Sequence, residues 1–552
     1  MTVCVRLLVA LLAMPLAAQV RAASPAQPLA QPQAGERLGT VSFTVSCSAQ
    51  VRAPFNRGVA LLHDFWYYEA QRQFERIAQS EPACAMAHWG IAMSLYHQIW
   101  NRPDADSLMQ GWAQMQKAAA PPAGTARERA YVAALSRFYE PGTQDYQARV
   151  EAYSAAMGEL HRRYPTDVDA AAFYALSVLA AEAPGDTSLT QQHLALAVLT
   201  PLYVRYPDHP GLVHYTIHAC DTPSLAPQGL AAARHYGEIA SSGAHAVHMP
   251  GHIFARLGMW REDIDSNLAS VAAAVAAQER GEGDGMDQFH SDDFLLYAFL
   301  QSGQEARAKS LMDEASVLLA HLQAMPGMSS HFMQGMFPYY RSKFPAFYAL
   351  ELRDWKAAAA LEPIPGAKPD AQTLTYWARI VGRGHLRQAQ EARADLAAYE
   401  SLLEQVRKGE HAYYADSTAA RIERGEILAW VAFAEGKEAD ALNQMRETAD
   451  LQDKVGQGEV DIPAREMLAD MLLEFHHPEQ ALGEYQRSLE HSPNRFNGLF
   501  NAGFAAEAAG DRAKARSYYA ALLKSTDNGS KSQRAEFEHA RGFVSAAQIA
   551  AQ

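Results

Sequence analysis

Two histidine pairs carry the spacing that could do chemistry. They are His214-Tyr-Thr-Ile-His218 and His248-Met-Pro-Gly-His252, and each histidine of the second pair lies 34 residues after its counterpart in the first. A spacing of four places both imidazoles of a pair on one helical face, roughly 5–6 Å apart at Cβ, which suits two nitrogens sharing one ion. An offset of 34 matches a helix-turn-helix repeat, and such repeats stack, so equivalent residues on neighbouring units come to lie side by side. Four imidazoles far apart in sequence can thereby converge. His245 shares the expected helix of His248, and His290 with Asp293 falls on the next one. Asp221 and Cys220 follow the first pair and could add an anionic ligand or orient a histidine. Imidazole with carboxylate suits zinc, copper or iron. The competing reading is that these histidines hydrogen-bond the backbone of a bound peptide. Pro250 cannot donate to the residue four before it, which would put His248 ahead of the regular helix and off its face.

Other chemistry is thinly represented. Met325, Met328, His331, Met333 and Met336 offer thioethers that could hold Cu(I), or simply fill gaps beside a groove. His63 and His88 sit on otherwise apolar helices and read as packing residues. No His-Glu-x-x-His zinc motif, Gly-x-Ser-x-Gly elbow or phosphate loop occurs, so no catalytic residue is assigned.

The elements that must position the histidines follow from length and punctuation. A chain of 552 residues exceeds a single hydrophobic core and calls for several domains or an array that grows by adding units. Residues 1–23 read as a secretory signal, with Arg6, an apolar run from Leu7 to Met14 and small residues near Ala22. The expectation is a periplasmic or secreted protein with no membrane span. Loss of Arg6 and Arg21 with that signal leaves 46 basic against 62 acidic side chains, a net charge of −16. That balance argues against nucleic acid and anionic lipid as partners. Of the cysteines left, Cys47 precedes the first helix and Cys84 sits at the first inter-repeat turn. We expect these two to pair and Cys220 to stay free, although sequence alone leaves the connectivity open.

Repeat signals recur along the chain. Gly58, Ala70, Phe74 and Pro82 supply a small residue, a second small residue, a buried aromatic and a terminating proline. Trp89 with Gly90 opens the next unit, and the last clear one has Gly503, Gly510, Ala515 and Tyr519. Turns are expected at Gly258, Gly303, Arg353-Asp354, Gly384, Gly436 and His476-His477-Pro478. The acidic insert Glu279 to Gly285 beside the histidines is read as a solvated loop or a lid.

With these motifs the chain resembles the tetratricopeptide repeat (TPR) family over most of its length, in roughly nine to twelve units. Phe55-Asn56-Arg57-Gly58, Cys84-Ala85-Met86-Ala87, His248 to Phe254 and Pro493-Asn494-Arg495-Phe496-Asn497 resemble a branch of exported bacterial TPR proteins. The resemblance implies an all-α, right-handed superhelix (α-solenoid) whose first helices line a concave, ligand-binding surface. We divide the chain into a signal (1–23), a Pro/Gln/Ala-rich leader (24–39), N-terminal repeats (40–208), histidine-rich repeats (209–338), C-terminal repeats (339–528) and a capping segment (529–552). The expected function is an exported scaffold, not an enzyme, that binds a protein or peptide in its groove through side chains such as Tyr340, Arg341 and Lys343, with a histidine-lined metal site. The alternative is a metalloprotein, either a metal-binding factor or a metal-dependent oxidase or hydrolase.

Overall fold

Small residues facing aromatic ones set the spacing of the helices. Phe74 lies between Gly58 and Gly90 on two successive first helices, and a Cβ at either glycine would come within 2.7 Å or 2.4 Å of its ring. Gly503 meets Tyr519 in the same way near the other end of the chain. Close backbone approach of this kind lets each hairpin stack on the next, which is how a repeat array buries a continuous core without a single centre.

The computed structural model describes residues 35–550 apart from 100–101, 121–123, 143–144, 184, 283–285, 325–330, 410–411, 457, 459 and 528–531. The described residues are all-α, with no strand, and run from the helix Arg52–His63 to the helix Ala535–Ala550 as successive antiparallel hairpins. Contacts are chiefly between consecutive helices, and the hydrophobic clusters overlap in sequence as they pass along the chain. The fold is an α-solenoid of helix-turn-helix repeats. None of its described helices is long and apolar enough to cross a membrane.

Eight hairpins close with one device. A residue in the left-handed region follows the first helix, and two backbone N–H groups bond back to its last turn. Glycine holds that position at Gly258, Gly303, Gly436 and Gly510, whereas Phe65, Arg353, Arg387 and His476 hold it elsewhere. The turn expected at Gly384 is displaced to Arg387, because Gly384 still belongs to the helix Pro369–His385 and packs against Trp430.

Several long-range ties depart from nearest-neighbour stacking, among them the two that follow. The end of the expected leader is held: the N–H groups of Gly39 and Thr40 donate to the Ile239 and Asp208 carbonyls at 2.9 and 2.8 Å. Glu36 in the same segment accepts from buried Arg57. Further on, buried Arg495 reaches Glu351, Glu466 and the Tyr297 hydroxyl, joining the helix Met286–Gln301 to the start of the helix Phe496–Ala508. The boundary expected at residue 338 falls inside the helix His331–Glu351. The signal, the start of the leader, and the side chains of Met325, Met328, His331, Met333 and Met336 lie outside the described residues.

Candidate metal centre

Three successive first helices bring the histidines together. Pro210–Cys220 starts with proline at a position where the missing N–H costs nothing, and presents His214 and His218 one turn apart. Ala244–His248 and Pro250–Arg256 follow as one path, because Met249 keeps right-handed helical angles (φ −51°, ψ −35°) across the proline. Pro250 therefore does not displace His248. The break is confined to one lost backbone bond, and His248 and His252 stay on a common face. Met286–Gln301 adds His290.

The six imidazoles sort into two sets of three. His214, His218 and His245 each offer a nitrogen, all within 4.8 Å of one another, and so do His248, His252 and His290. Each pair thus takes its third member from the next helix along. Ring centroids within the first set are 4.7 Å apart for His214 and His218 and 5.1 Å for His214 and His245. Between the sets, His245 lies 5.9 Å from His248 and His218 lies 6.3 Å from His252.

Hydrogen bonds fix the tautomers. His214 Nδ1 is 2.6 Å from the His63 carbonyl oxygen, so Nδ1 carries the proton and donates. Its Nε2 keeps a lone pair that is fully buried and finds no hydrogen-bond partner among the described residues. In the second set, Asn267 Nδ2 donates to the Asp263 carbonyl at 3.0 Å and to its Oδ1 at 2.6 Å, which turns Asn267 Oδ1 toward His248. His248 Nδ1 donates to that oxygen at 2.6 Å. His252 Nδ1 donates to Asp221 Oδ2 at 2.8 Å. The two Nε2 atoms face each other at 3.0 Å, a contact that either a shared proton or a metal ion makes attractive. Burial holds His214 and His245 well below the ordinary imidazole value, and neighbouring histidines push them further down, so both are in the neutral form a metal needs.

Aromatic rings enclose the centre. Phe65 stacks on His218 and His245 with centroids at 5.4 Å, and Tyr236 stacks on His214. Phe294 lies against His248 and His252 at 4.7 and 4.8 Å. Phe65 occupies the left-handed hairpin position (φ 56°) that glycine fills in four other repeats. A non-glycine residue there costs about 1–3 kcal/mol, as it does at Arg353, Arg387 and His476.

The remaining sequence candidates take other roles. Asp221 lies in neither set of three; its Oδ2 accepts from His252 and its Oδ1 from Arg256 Nε at 3.0 Å. Asp293 lies in neither set and is engaged by Lys343. Lys343 and Tyr340 are buried, so neither is offered to a peptide. Cys220 is buried and its thiol is pushed up to about 12 by burial. Cys47 and Cys84 are bonded to each other across 37 residues. His88 bonds Gln114, as a packing residue would.

A third cluster, His63, Asp169 and His209, has the composition of a metal site but not its free valences. His209 Nδ1 accepts from the Leu212 N–H, which sends its Nε2 proton to Asp169 Oδ1 at 3.3 Å. His63 spans Asp169 and the Tyr215 hydroxyl at 3.1 and 2.8 Å. Although burial raises it, hydrogen bonds from both histidines hold the Asp169 carboxyl below the usual range.

Sequence reasoning missed Asn267, Phe65 and the His63 carbonyl. Asn267 had a signal: Asp263, Asn267 and Ser270 are polar residues on the buried stripe of the helix Trp260–Glu279. The other two had none, because the contact of His63 and Phe65 with the histidine helices spans some 150 residues of sequence.

No protein-family model and no curated protein matches the chain in sequence. Among solved structures it is similar to the TPR domain of P58(IPK), at 14% identity over 69% of this chain and 99% of that one, with a TM-score of 0.21. It is also similar to Naa15/Naa10 bound to HypK-THB, at 13% identity over 90% of this chain and 78% of that one, with a TM-score of 0.22. Superpositions this loose say nothing about ligands. The repeat architecture stands on the chain's own hairpin order.

Proposed function

We propose that this chain is an exported helical-repeat metalloprotein that holds a transition metal among His214, His218, His245, His248, His252 and His290. One observation carries the reading: the Nε2 atoms of His248 and His252 face each other at 3.0 Å while both Nδ1 atoms are spent on Asn267 and Asp221. A proton between them would make an imidazolium beside Asp221, a carboxylate whose charge Arg256 already offsets. A metal ion in their place would be held by His248, His252 and the third imidazole of the set, His290, a donor group suited to zinc, copper or iron. Histidine ligands held by a carboxylate and a side-chain amide through Nδ1 are the usual support of such sites. The Cys47–Cys84 bond supports an oxidising compartment. A partner-binding role on the rest of the scaffold is compatible with this reading, but it does not draw on Tyr340 or Lys343, which are buried.

The test is metal content by mass spectrometry on the purified full chain, beside a variant carrying His248→Ala and His252→Ala. Near-stoichiometric metal that falls in the variant is the expected result. No metal in the wild type, even after incubation with copper, zinc and iron, overturns the proposal.

A further inference from the structure

Resting on the metal reading above, we infer that the six imidazoles form two adjacent three-nitrogen sites, which together hold a pair of copper ions and take dioxygen between them.

The partition argues for two ions. Each set has three nitrogens within 4.8 Å of one another, which is a complete donor group for a single ion. The sets are neighbours, since His245 of the first and His248 of the second are on one turn of helix with rings 5.9 Å apart. Paired ions about 3.5–4 Å apart are a recurrent arrangement when one small ligand must touch both.

Charge selects the metal. Every donor in the two sets is an imidazole, which binds a metal as a neutral ligand, and the nearest clamp, Asp221, is offset by Arg256. Two divalent ions would bring four positive charges into a site roofed by Phe65 and Phe294, with no carboxylate in either set of three donors. Two Cu(I) ions bring two, and Cu(I) is satisfied by three donors with its remaining position open. Dioxygen is the small neutral molecule that suits such a pair. Each Cu(I) gives up one electron, the O–O bond is retained, and the product is peroxide bound to two Cu(II) ions. No proton or further reductant is needed. The total charge is two positive before and after, so the low-dielectric surroundings need no counter-ion to follow the electrons, and release of dioxygen is the same step reversed.

The experiment loads the full apo-chain with Cu(I) without air, desalts it, counts copper by mass spectrometry, and then admits dioxygen while recording near-ultraviolet absorption and electron paramagnetic resonance. The expected result is two coppers per chain, a charge-transfer band that disappears when dioxygen is removed, and no paramagnetic signal, because the two Cu(II) spins couple. His218→Gln, at a half-buried ring, should drop to one copper, lose the band and show an ordinary Cu(II) signal in air, with circular dichroism unchanged. His290→Gln should do the same from the other set. One copper per chain in the wild type, or two coppers with no band, overturns this inference and leaves the metal reading intact. No bound copper, zinc or iron at all overturns both.

Discussion

Asn267 holds no metal in any reading, and its removal is the sharpest probe of how the centre is built. The perturbation is Asn267→Ala. Its side-chain oxygen is 2.6 Å from His248 Nδ1 in a site where His248 is 1% exposed, so bulk water does not reach the lost acceptor's place. An orphaned buried donor costs about 1–3 kcal/mol. The ring loses the bond that fixes which nitrogen is protonated, and the tautomer with Nε2 protonated cannot bind a metal at that atom. Loss of such a supporting partner typically lowers metal affinity 10–100-fold, or about 1.4–2.7 kcal/mol. The assay is competition against a chelator of known affinity, with nitrogen NMR of His248 in the apo-protein as a second readout. The wild type should show one tautomer, protonated at Nδ1, and the variant a mixture. Unchanged affinity in a variant that still folds would refute the claim that Asn267 prepares His248 as a ligand.

Three further outcomes are expected. Cys84→Ser opens the loop closed with Cys47 across 37 residues, for a loss of about 4 kcal/mol in the first hairpins, read by urea unfolding of the full chain under non-reducing conditions. Arg495→Met leaves Glu351 and Glu466 buried without their cation, and stability should fall by about 3–5 kcal/mol in the same assay. His63 is pushed down to about 4 from an ordinary 6.5 by burial, against the pull of Asp169. The unfolded chain therefore takes up a proton there that the folded chain refuses, so the contribution of His63 is present above pH 6.5 and is lost as pH falls toward 4. The change is up to about 3 kcal/mol, and His63→Gln should flatten that part of the stability profile of the apo-protein.

Much of this architecture is legible from local pattern, because a repeat protein writes its fold at short range. Gly58, Phe74 and Gly90 announce the hairpin spacing, and the 34-residue offset between histidine pairs places them on adjacent first helices. What the pattern hides is the exact register between units. The equivalent histidines do not simply meet each other; each pair recruits a third ring, His245 or His290, whose place depends on how far one helix slides past the next. A turn was expected at Arg353-Asp354, but the left-handed conformation of Arg353, Arg387 and Phe65 was equally invisible, since nothing in their own chemistry favours it. Pro250 misled for the opposite reason. A local rule predicted that the break would carry His248 off the helix face, whereas Met249 keeps helical angles and the two short helices continue one path.

Open repeat arrays melt from their ends, since a terminal unit has a neighbour on one side only and each step inward is slightly harder than the last. The tie through Arg495 changes that gradient. Its partners sit on Tyr297, near the middle of the chain, and on Glu351 and Glu466, so loosening the unit that begins at Phe496 pulls on three others at once. Amide hydrogen exchange along residues 286–525 should accordingly show a plateau of similar protection rather than a taper toward the C-terminus, and a cooperative block of that size would hold the helix Met286–Gln301, and with it His290, in place while the outer hairpins breathe.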